Sequence, residues 1–481
     1  MPEQGTRHRV GVLLKASRSG VSGISARHDA QASFQPGGVL PFHARSVESV
    51  CLGDAVATLA VRDQIQLLIE CRRVLVPDGT VLCAEDDAPA THAALSRWAE
   101  LVGLVHAAAP HAGRAWRKRA ASAGTAPLVS ILIPSSNPRY FLECLDSAIA
   151  QTYPRTEIII CDDSEGDVIE RLVESRVGRA VIRYEKNPRR LRARGNTERC
   201  LSLARGEYIK YLNDDDVLEP ECVATLLGAF LRIPDLVLAT SHRWRINQAS
   251  QVIEDMEATR PAVNRDLVID GVTLANAVIM YGMNFIGEPS TALFRRRDFE
   301  KRPELDMQHL FHFNGEPVKG AYDLAMWSRL LVQGNAAFFR GRLSRFRVHA
   351  GQAQAQPSVV ALSIVGIRRL QKQWIDLGLF RQYPPHLLRC HPVACNEAKA
   401  NDWQLEAVCS LDHPPEPPEV AVRKWRKTRR HAFEGDIKAL VRRQPDLLRL
   451  VCRPPYGFKE RRQEWRQSMT SVLRWLIFAR T

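Results

Sequence analysis

Four short apolar runs between residues 128 and 212 constrain the fold of this chain more than any other feature. Leu128-Val129-Ser130-Ile131-Leu132-Ile133 stops at Pro134-Ser135-Ser136-Asn137-Pro138, and Glu157-Ile158-Ile159-Ile160-Cys161 stops at Asp162-Asp163-Ser164. Ala180 to Tyr184 is a third run; Tyr208-Ile209-Lys210-Tyr211-Leu212, followed by Asn213-Asp214-Asp215-Asp216, is the fourth. Runs this short and this apolar read as strands buried on both faces. Tyr140 to Ala150 and Glu221 to Leu231 have helical spacing. Strands alternating with helices predict an α/β unit with a mostly parallel sheet.

In such sheets ligands bind beyond the carboxyl ends of the strands, so the residues just after each run form a set. Three successive carboxylates at Asp214, Asp215 and Asp216 repel one another. A hard divalent cation, Mg²⁺ or Mn²⁺, relieves that repulsion and takes further ligands from water and substrate phosphate. A capped turn is the simpler alternative, with Pro220 set for the first turn of the following helix.

Taken in order, these segments resemble family 2 glycosyltransferases. The match runs through Val129 to Asn137, Leu145-Asp146-Ser147-Ala148-Ile149-Ala150-Gln151-Thr152-Tyr153, Glu157 to Ser164, Ala193-Arg194-Gly195-Asn196, Ala204-Arg205-Gly206-Glu207-Tyr208-Ile209 and Tyr211 to Asp216. The resemblance implies the GT-A nucleotide-diphospho-sugar transferase fold, a Rossmann-like sheet, over residues 127–355. It implies a nucleotide-sugar site at Pro134, Ser136, Asn137, Asp162, Asp163, Arg194, Asn213 and Asp214, with Asp163 and Asp162 on the base. Asn213 stands where many relatives place Asp, so the metal, Mn²⁺ or Mg²⁺, is expected on Asp215 and Asp216.

Downstream, Asn284-Phe285-Ile286-Gly287-Glu288-Pro289-Ser290 resembles the family's acceptor-side loop, and Tyr322-Asp323-Leu324-Ala325-Met326-Trp327 places an acid before a Trp-containing helix. The resemblance makes Asp323 the catalytic base, although an Asp there could also be an N-cap. Arg345-Phe346-Arg347-Val348-His349 matches the region that closes the catalytic domain, and His349 is expected at the metal or diphosphate. The implied reaction is inverting transfer of a sugar, UDP-linked by preference, to a saccharide or other hydroxyl acceptor in polysaccharide, glycolipid or glycoprotein assembly. A nucleotidyltransferase would need a glycine-rich basic loop where Ser135-Ser136-Asn137-Pro138 stands. A non-catalytic binding module would be free to lose acids that are all present.

Before this domain, Val47 to Leu52, a helical stretch Arg62 to Leu75, a turn at Pro77-Asp78-Gly79 and Thr80 to Ala84 read as strand, helix, turn, strand. With Leu40-Pro41-Phe42 and Glu70 to Gly79, residues 1–106 resemble a truncated class I S-adenosylmethionine-dependent methyltransferase. Val10 to Leu14 is a strand candidate, but Lys15 to Gly20 is a poor substitute for the family's glycine loop, so no cofactor binding is expected. Residues 107–126 read as a helix and linker.

Residues 356–481 are expected to be helical and basic. Residues 421–481 hold 17 Lys/Arg against 5 Asp/Glu, most of the chain's net charge of +14. Such a region can rest on an anionic membrane or hold an anionic acceptor, or be a solvated helical face; no nucleic-acid partner is expected. No apolar run of roughly 20 residues and no signal peptide is evident, so a cytoplasmic protein, peripheral to the inner face of a membrane at most, is expected. The 11 cysteines then read as free thiols. The spacing of Cys390, His391, Cys395, Cys409 and His413 lacks paired zinc knuckles.

Overall fold

The computed structural model describes residues 10–16, 30–34, 40, 47–52, 56, 59, 61–83, 95–96, 98–99, 102, 104–107, 114–118 and 126–409, the last range without 177, 179, 234, 257–258, 300–309, 353–356, 380–383 and 395–402. The basic region at 421–481, Cys395 and His413 lie outside the described residues.

A first sheet has six strands: β1 (Val10–Ala16), β2 (Ala30–Phe34), β3 (Val47–Leu52), β4 (Leu75–Cys83), β5 (Leu104–Ala107) and β6 (Arg114–Lys118), in the order β2-β1-β3-β4-β6-β5. Helix α1 (Val61–Val74) connects β3 to its parallel neighbour β4. The Pro77-Asp78-Gly79 turn lies inside β4, where the register jumps from Val47 opposite Leu75 to Ser49 opposite Thr80 and Asp78 takes φ 61°. The expected Val10 strand forms, but it runs antiparallel to β3. Its carboxyl end, at Ala16 opposite Val47, therefore lies away from the carboxyl ends of β3 and β4, where a cofactor crevice would be.

Two expectations are corrected here. Residues 114–118 are a strand, not helix or linker, because Trp116 is wholly buried and its backbone pairs with β4 and β5. The region after 356 is not all helix. It holds a helix at Pro357–Asp376, but also β19 (Leu387–Pro392) and β20 (Gln404–Ala407), whose buried Leu387, Leu388 and Cys390 extend the second sheet. Cys390 and His391 are part of that strand.

The second sheet contains β7 (Val129–Ser135), β8 (Thr156–Asp162), β9 (Ile182–Lys186), β10 (Tyr208–Tyr211), β11 (Val217–Leu218), β12 (Leu236–Ile246), β13 (Val252–Ile253), β14 (Leu267–Ile269), β15 (Leu293–Arg295) and β18 (Asn335–Arg347) besides β19 and β20. β16 (His312–Phe313) and β17 (Glu316–Pro317) form a separate hairpin. The strands β10, β7, β8 and β9 are adjacent and parallel, and antiparallel β15 joins β10 to β12.

The continuous apolar runs are explained by burial on both faces. Ile131, Ile133, Ile158 and Ile160 point into one core with helices α2 (Phe141–Ile149) and α5 (Cys222–Arg232), whereas Leu132, Ile159 and Cys161 face the other. Phe141, Cys144, Leu145 and Ala148 give α2 its buried stripe at helical spacing. Between α2 and α5 lie α3 (Val168–Glu174) and α4 (Arg192–Leu203). Helices α6 (Gly271–Tyr281), α7 (Tyr322–Leu331) and α8, the Pro357–Asp376 helix, cover the second core, which is continuous with that of the first sheet. Lys118 meets Asp235 at 2.9 Å across that junction, both side chains largely buried. Among the described residues no helix is long and apolar enough to cross a membrane.

Candidate active site

Because β7, β8 and β10 are parallel, their carboxyl ends open at one edge, and the polar residues after each are brought together there. Asn196 on α4 locks the first two: its Nδ2 donates to the carbonyls of Ser135 (3.1 Å) and Cys161 (2.9 Å), and its Oδ1 accepts from Asn187. Asp214 ties in the third. Its Oδ2 accepts from Ser136 N (2.7 Å), Asn137 N (2.9 Å) and the Ser135 hydroxyl (3.1 Å). Burial pushes its carboxyl up to about 6 even though these donors favour the charged form.

The two acids after β8 are also held by the protein. Asp162 accepts from Ser164 N, Tyr184 and Lys186, and these bonds outweigh its burial, so that its carboxyl stays below the ordinary range. Asp163 accepts from the backbone of Leu191 and Arg192 at 2.7 Å each and from Asn187. It thereby fixes the start of α4, where Arg192 takes φ 61°. Arg194, one turn inside that helix, lies 3.4 Å from Glu198 and keeps about a third of its side chain exposed.

The acids of the fourth loop divide by burial. Asp216 is fully buried; its Oδ2 accepts from the Ser290 hydroxyl (2.6 Å) and from Asn213 Nδ2 (3.1 Å), and its Oδ1 from Arg347 N (3.1 Å). Burial, then the neighbouring charges of Asp215 and Glu288, push its carboxyl upward. Asp215 faces outward instead: its Oδ2 lies 3.1 Å from His349 Nε2 and 3.3 Å from Gln352 Nε2. Arg347, buried beneath, donates from Nε to the Asp215 carbonyl and from a terminal nitrogen to Glu143.

Ser290 carries the connection to the acceptor-side loop. Its hydroxyl also accepts from Asn213 N, and its carbonyl accepts from the buried Lys210 ammonium. Burial lowers the Lys210 pKa. Gly287, three residues earlier, has φ +104°, and a Cβ there would lie 2.6 Å from the Thr291 hydroxyl, so glycine is required. The Gly287 carbonyl accepts from Trp327 Nε1 (3.0 Å) and Asn284 Nδ2 (2.8 Å). Asp323 stands beside this turn: its Oδ2 accepts from Asn284 Nδ2 at 2.6 Å and its Oδ1 from Leu324 N. Ala321, not Asp323, is the N-cap of α7, so the capping alternative does not describe this acid. Burial raises the Asp323 carboxyl despite those two donors.

Residues 130–301 match the family model described as Glycosyl transferase family 2. The match supports a family 2 glycosyltransferase. Among relatives, the Escherichia coli chondroitin synthase is 39% identical over 117 residues, 24% of this chain and 16% of its own length. The E. coli enzyme UDP-Glc:alpha-D-GlcNAc-diphosphoundecaprenol beta-1,3-glucosyltransferase WfaP is 26% identical over 239 residues, 47% of this chain and 80% of that one. The crystal structure of S. aureus TarS 1–349 in complex with UDP-GlcNAc aligns at 16% identity over 53% of this chain and 71% of that one, with a TM-score of 0.38. The chain thus spans only 16% and 13% of the first two chondroitin synthases it matches.

In the family 2 segment, the acids expected from sequence do converge, but on different tasks. Asp162, Asp163, Asp214 and Asp216 have their oxygens held by several protein donors, whereas Asp215 is partly exposed and meets Gln352 and the largely buried His349 through one oxygen. Sequence reasoning gave no role to Asn196, Lys210, Arg243, Asn284, Ser290 or Arg347. Lys210 did carry a signal, a charge inside an otherwise apolar strand. Arg243 and Ser290 acquire their roles only through contacts remote in sequence.

Proposed function

We propose that the chain transfers a sugar from a nucleotide-diphosphate donor to an acceptor hydroxyl, with inversion and with a divalent cation. The observation that carries this reading is the link from Asp216 by a hydrogen bond to Ser290, back along three residues of chain to Gly287, and by the Asn284 amide from Gly287 to Asp323. It connects the loop that carries Asp215 to the partly buried Asp323 carboxylate at the start of α7.

The donor atoms fit a cation. Asp215 offers a carboxylate and His349 an imidazole 3.1 Å apart, and both are accepted by Mn²⁺. Among the described residues no three His, Cys, Asp or Glu side chains are grouped to hold a metal ion, so an ion on Asp215 and His349 would take its remaining ligands from diphosphate and water. Bound there, it would supply neutralisation of the charge on the departing nucleoside diphosphate. Asp216 has its oxygens occupied and shapes the loop that presents Asp215.

Asp323 takes the proton of the attacking hydroxyl, and Pro134, Ser136, Asn137, Arg194 and the residues that Asp162 and Asp163 fix surround the nucleotide. A UDP-sugar donor and a saccharide or lipid-linked acceptor in polysaccharide or glycolipid assembly are favoured by the kinship with the chondroitin synthases and WfaP. The basic region 421–481 gives such an acceptor, or an anionic membrane, an electrostatic partner. The test is to incubate the purified chain and Mn²⁺ with UDP-glucose, UDP-GlcNAc, UDP-glucuronate and GDP-mannose, each with a GlcNAc-diphospho-lipid and with oligosaccharides. Transfer with inverted anomeric configuration by NMR supports the reading. Nucleotidyl transfer, or retained configuration, refutes it.

A further inference from the structure

The amide of Asn284 cannot be turned around. Its Oδ1 accepts from Gly287 N (3.1 Å) and its Nδ2 donates to Gly287 O (2.8 Å), so a flipped amide would set donor against donor and oxygen against oxygen. The same Nδ2 reaches Asp323 Oδ2 at 2.6 Å, from 39 residues away. A fixed donor is therefore aimed at a partly buried carboxylate, and a charge-assisted bond of this kind strengthens when that carboxylate is ionised.

Two other features act on the same acid. Asp323 is the second residue of α7, in the first turn, where the helix dipole favours negative charge. The charged groups facing it are Arg243 from β12, which favours ionisation, and Glu288 from the loop after Gly287, which opposes it. Arg243 is itself engaged, its Nε 2.9 Å from Glu288 Oε2. Asn284 thus touches Asp323 and also holds the turn leading to Ser290 and the Asp215–Asp216 loop.

We propose that Asn284 is the positioning residue of this site, holding Asp323 as an oriented carboxylate and fastening it to the Gly287 turn so that the base and the acceptor loop keep one geometry. The inference rests on the reading of Asp323 as the base, but its test does not need substrate. Asn284→Ala, Asp323→Asn and the double variant are melted between pH 4.5 and pH 8.5. Asp323 is raised by burial, so the advantage of its protonated form is present at low pH and is lost as pH rises through its titration. Removing the Asn284 donor raises it further. The melting-temperature loss from Asn284→Ala should then be larger at pH 8.5 than at pH 4.5, and in the Asp323→Asn background it should be smaller and flat with pH. A loss equal at both pH values, or equal in both backgrounds, overturns the proposal. If Asn284→Ala gives no folded protein, Asn284→Leu, which keeps the volume without a donor, is used with the same criteria. Failure of the wider reading is seen separately: an Asp323→Asn protein with full sugar transfer would remove the base while leaving this pair and its pH dependence in place.

Discussion

His349 Nε2 lies 3.1 Å from Asp215 Oδ2, joining residues 134 positions apart at the mouth of the site, while Asp216, the adjacent acid, is turned wholly inward. The two neighbours should therefore fail differently. Asp215→Asn and His349→Ala should both weaken Mn²⁺-dependent binding of UDP, Asp215→Asn with little change in melting temperature and His349→Ala with some loss, because its side chain is 6% exposed and its ring packs on Tyr140. Asp216→Asn would set an amide donor against Ser290, Asn213 or Arg347 N and cost stability, about 1–3 kcal/mol for a buried group left mispaired. Calorimetric titration with UDP and Mn²⁺, beside thermal melts of the three variants, checks the division.

Asn196→Ala should be among the most damaging changes that touch no substrate. It removes the side chain that bonds the carbonyls of Ser135 and Cys161 and the Asn187 amide together, leaving Ser135 O only its bond from Asp163 N and the Asn187 amide only its bond to Asp163. The loss should be at least about 1–3 kcal/mol, read from urea denaturation, with weaker donor binding because the loops after β7 and β8 part.

Turnover should depend on pH through Asp323. Its carboxyl is raised by burial, and only the ionised form accepts a proton, so activity should fall as pH drops through a midpoint above the ordinary aspartate value of about 3.9. A pH profile of transfer rate at saturating donor checks this. Lysine or histidine as the base would instead put the acid limb far higher.

The strands β7, β8, β9 and β10 and helices α2, α5 and α7 were legible because their signals are local: apolar runs buried on both sheet faces, and stripes at helical spacing; the long strands β12 and β18 were not read. Asp162, Asp163 and Asp214 to Asp216 stand at the same sheet edge, since parallel strands carry their carboxyl ends together, whereas Asp323 starts a helix. What separates Asp215 from Asp216 was not legible, because it depends on Ser290 and on Arg347 N, 74 and 131 residues away. The strand at 114–118 was hidden by its Ala, Arg and Lys content. Its buried Ala115, Trp116 and Lys118 reflect its place between β4 and β5 in the first sheet.

The first sheet should not bind S-adenosylmethionine. Its Val10–Ala16 strand is antiparallel to β3, so its carboxyl end lies away from the edge where a cofactor would sit. Calorimetry of the whole chain with that cofactor should show no heat of binding. Micromolar affinity would restore a cofactor role to this unit.

The most direct measurement of the central claim compares Asp323→Asn with the parent chain for donor affinity and transfer rate in the same assay. A base acts only as the acceptor proton moves, so UDP-sugar affinity and melting temperature should hold while the rate falls by about 10² to 10⁴. An Asp323→Asn protein that binds donor and transfers sugar at the parent's rate would contradict the account.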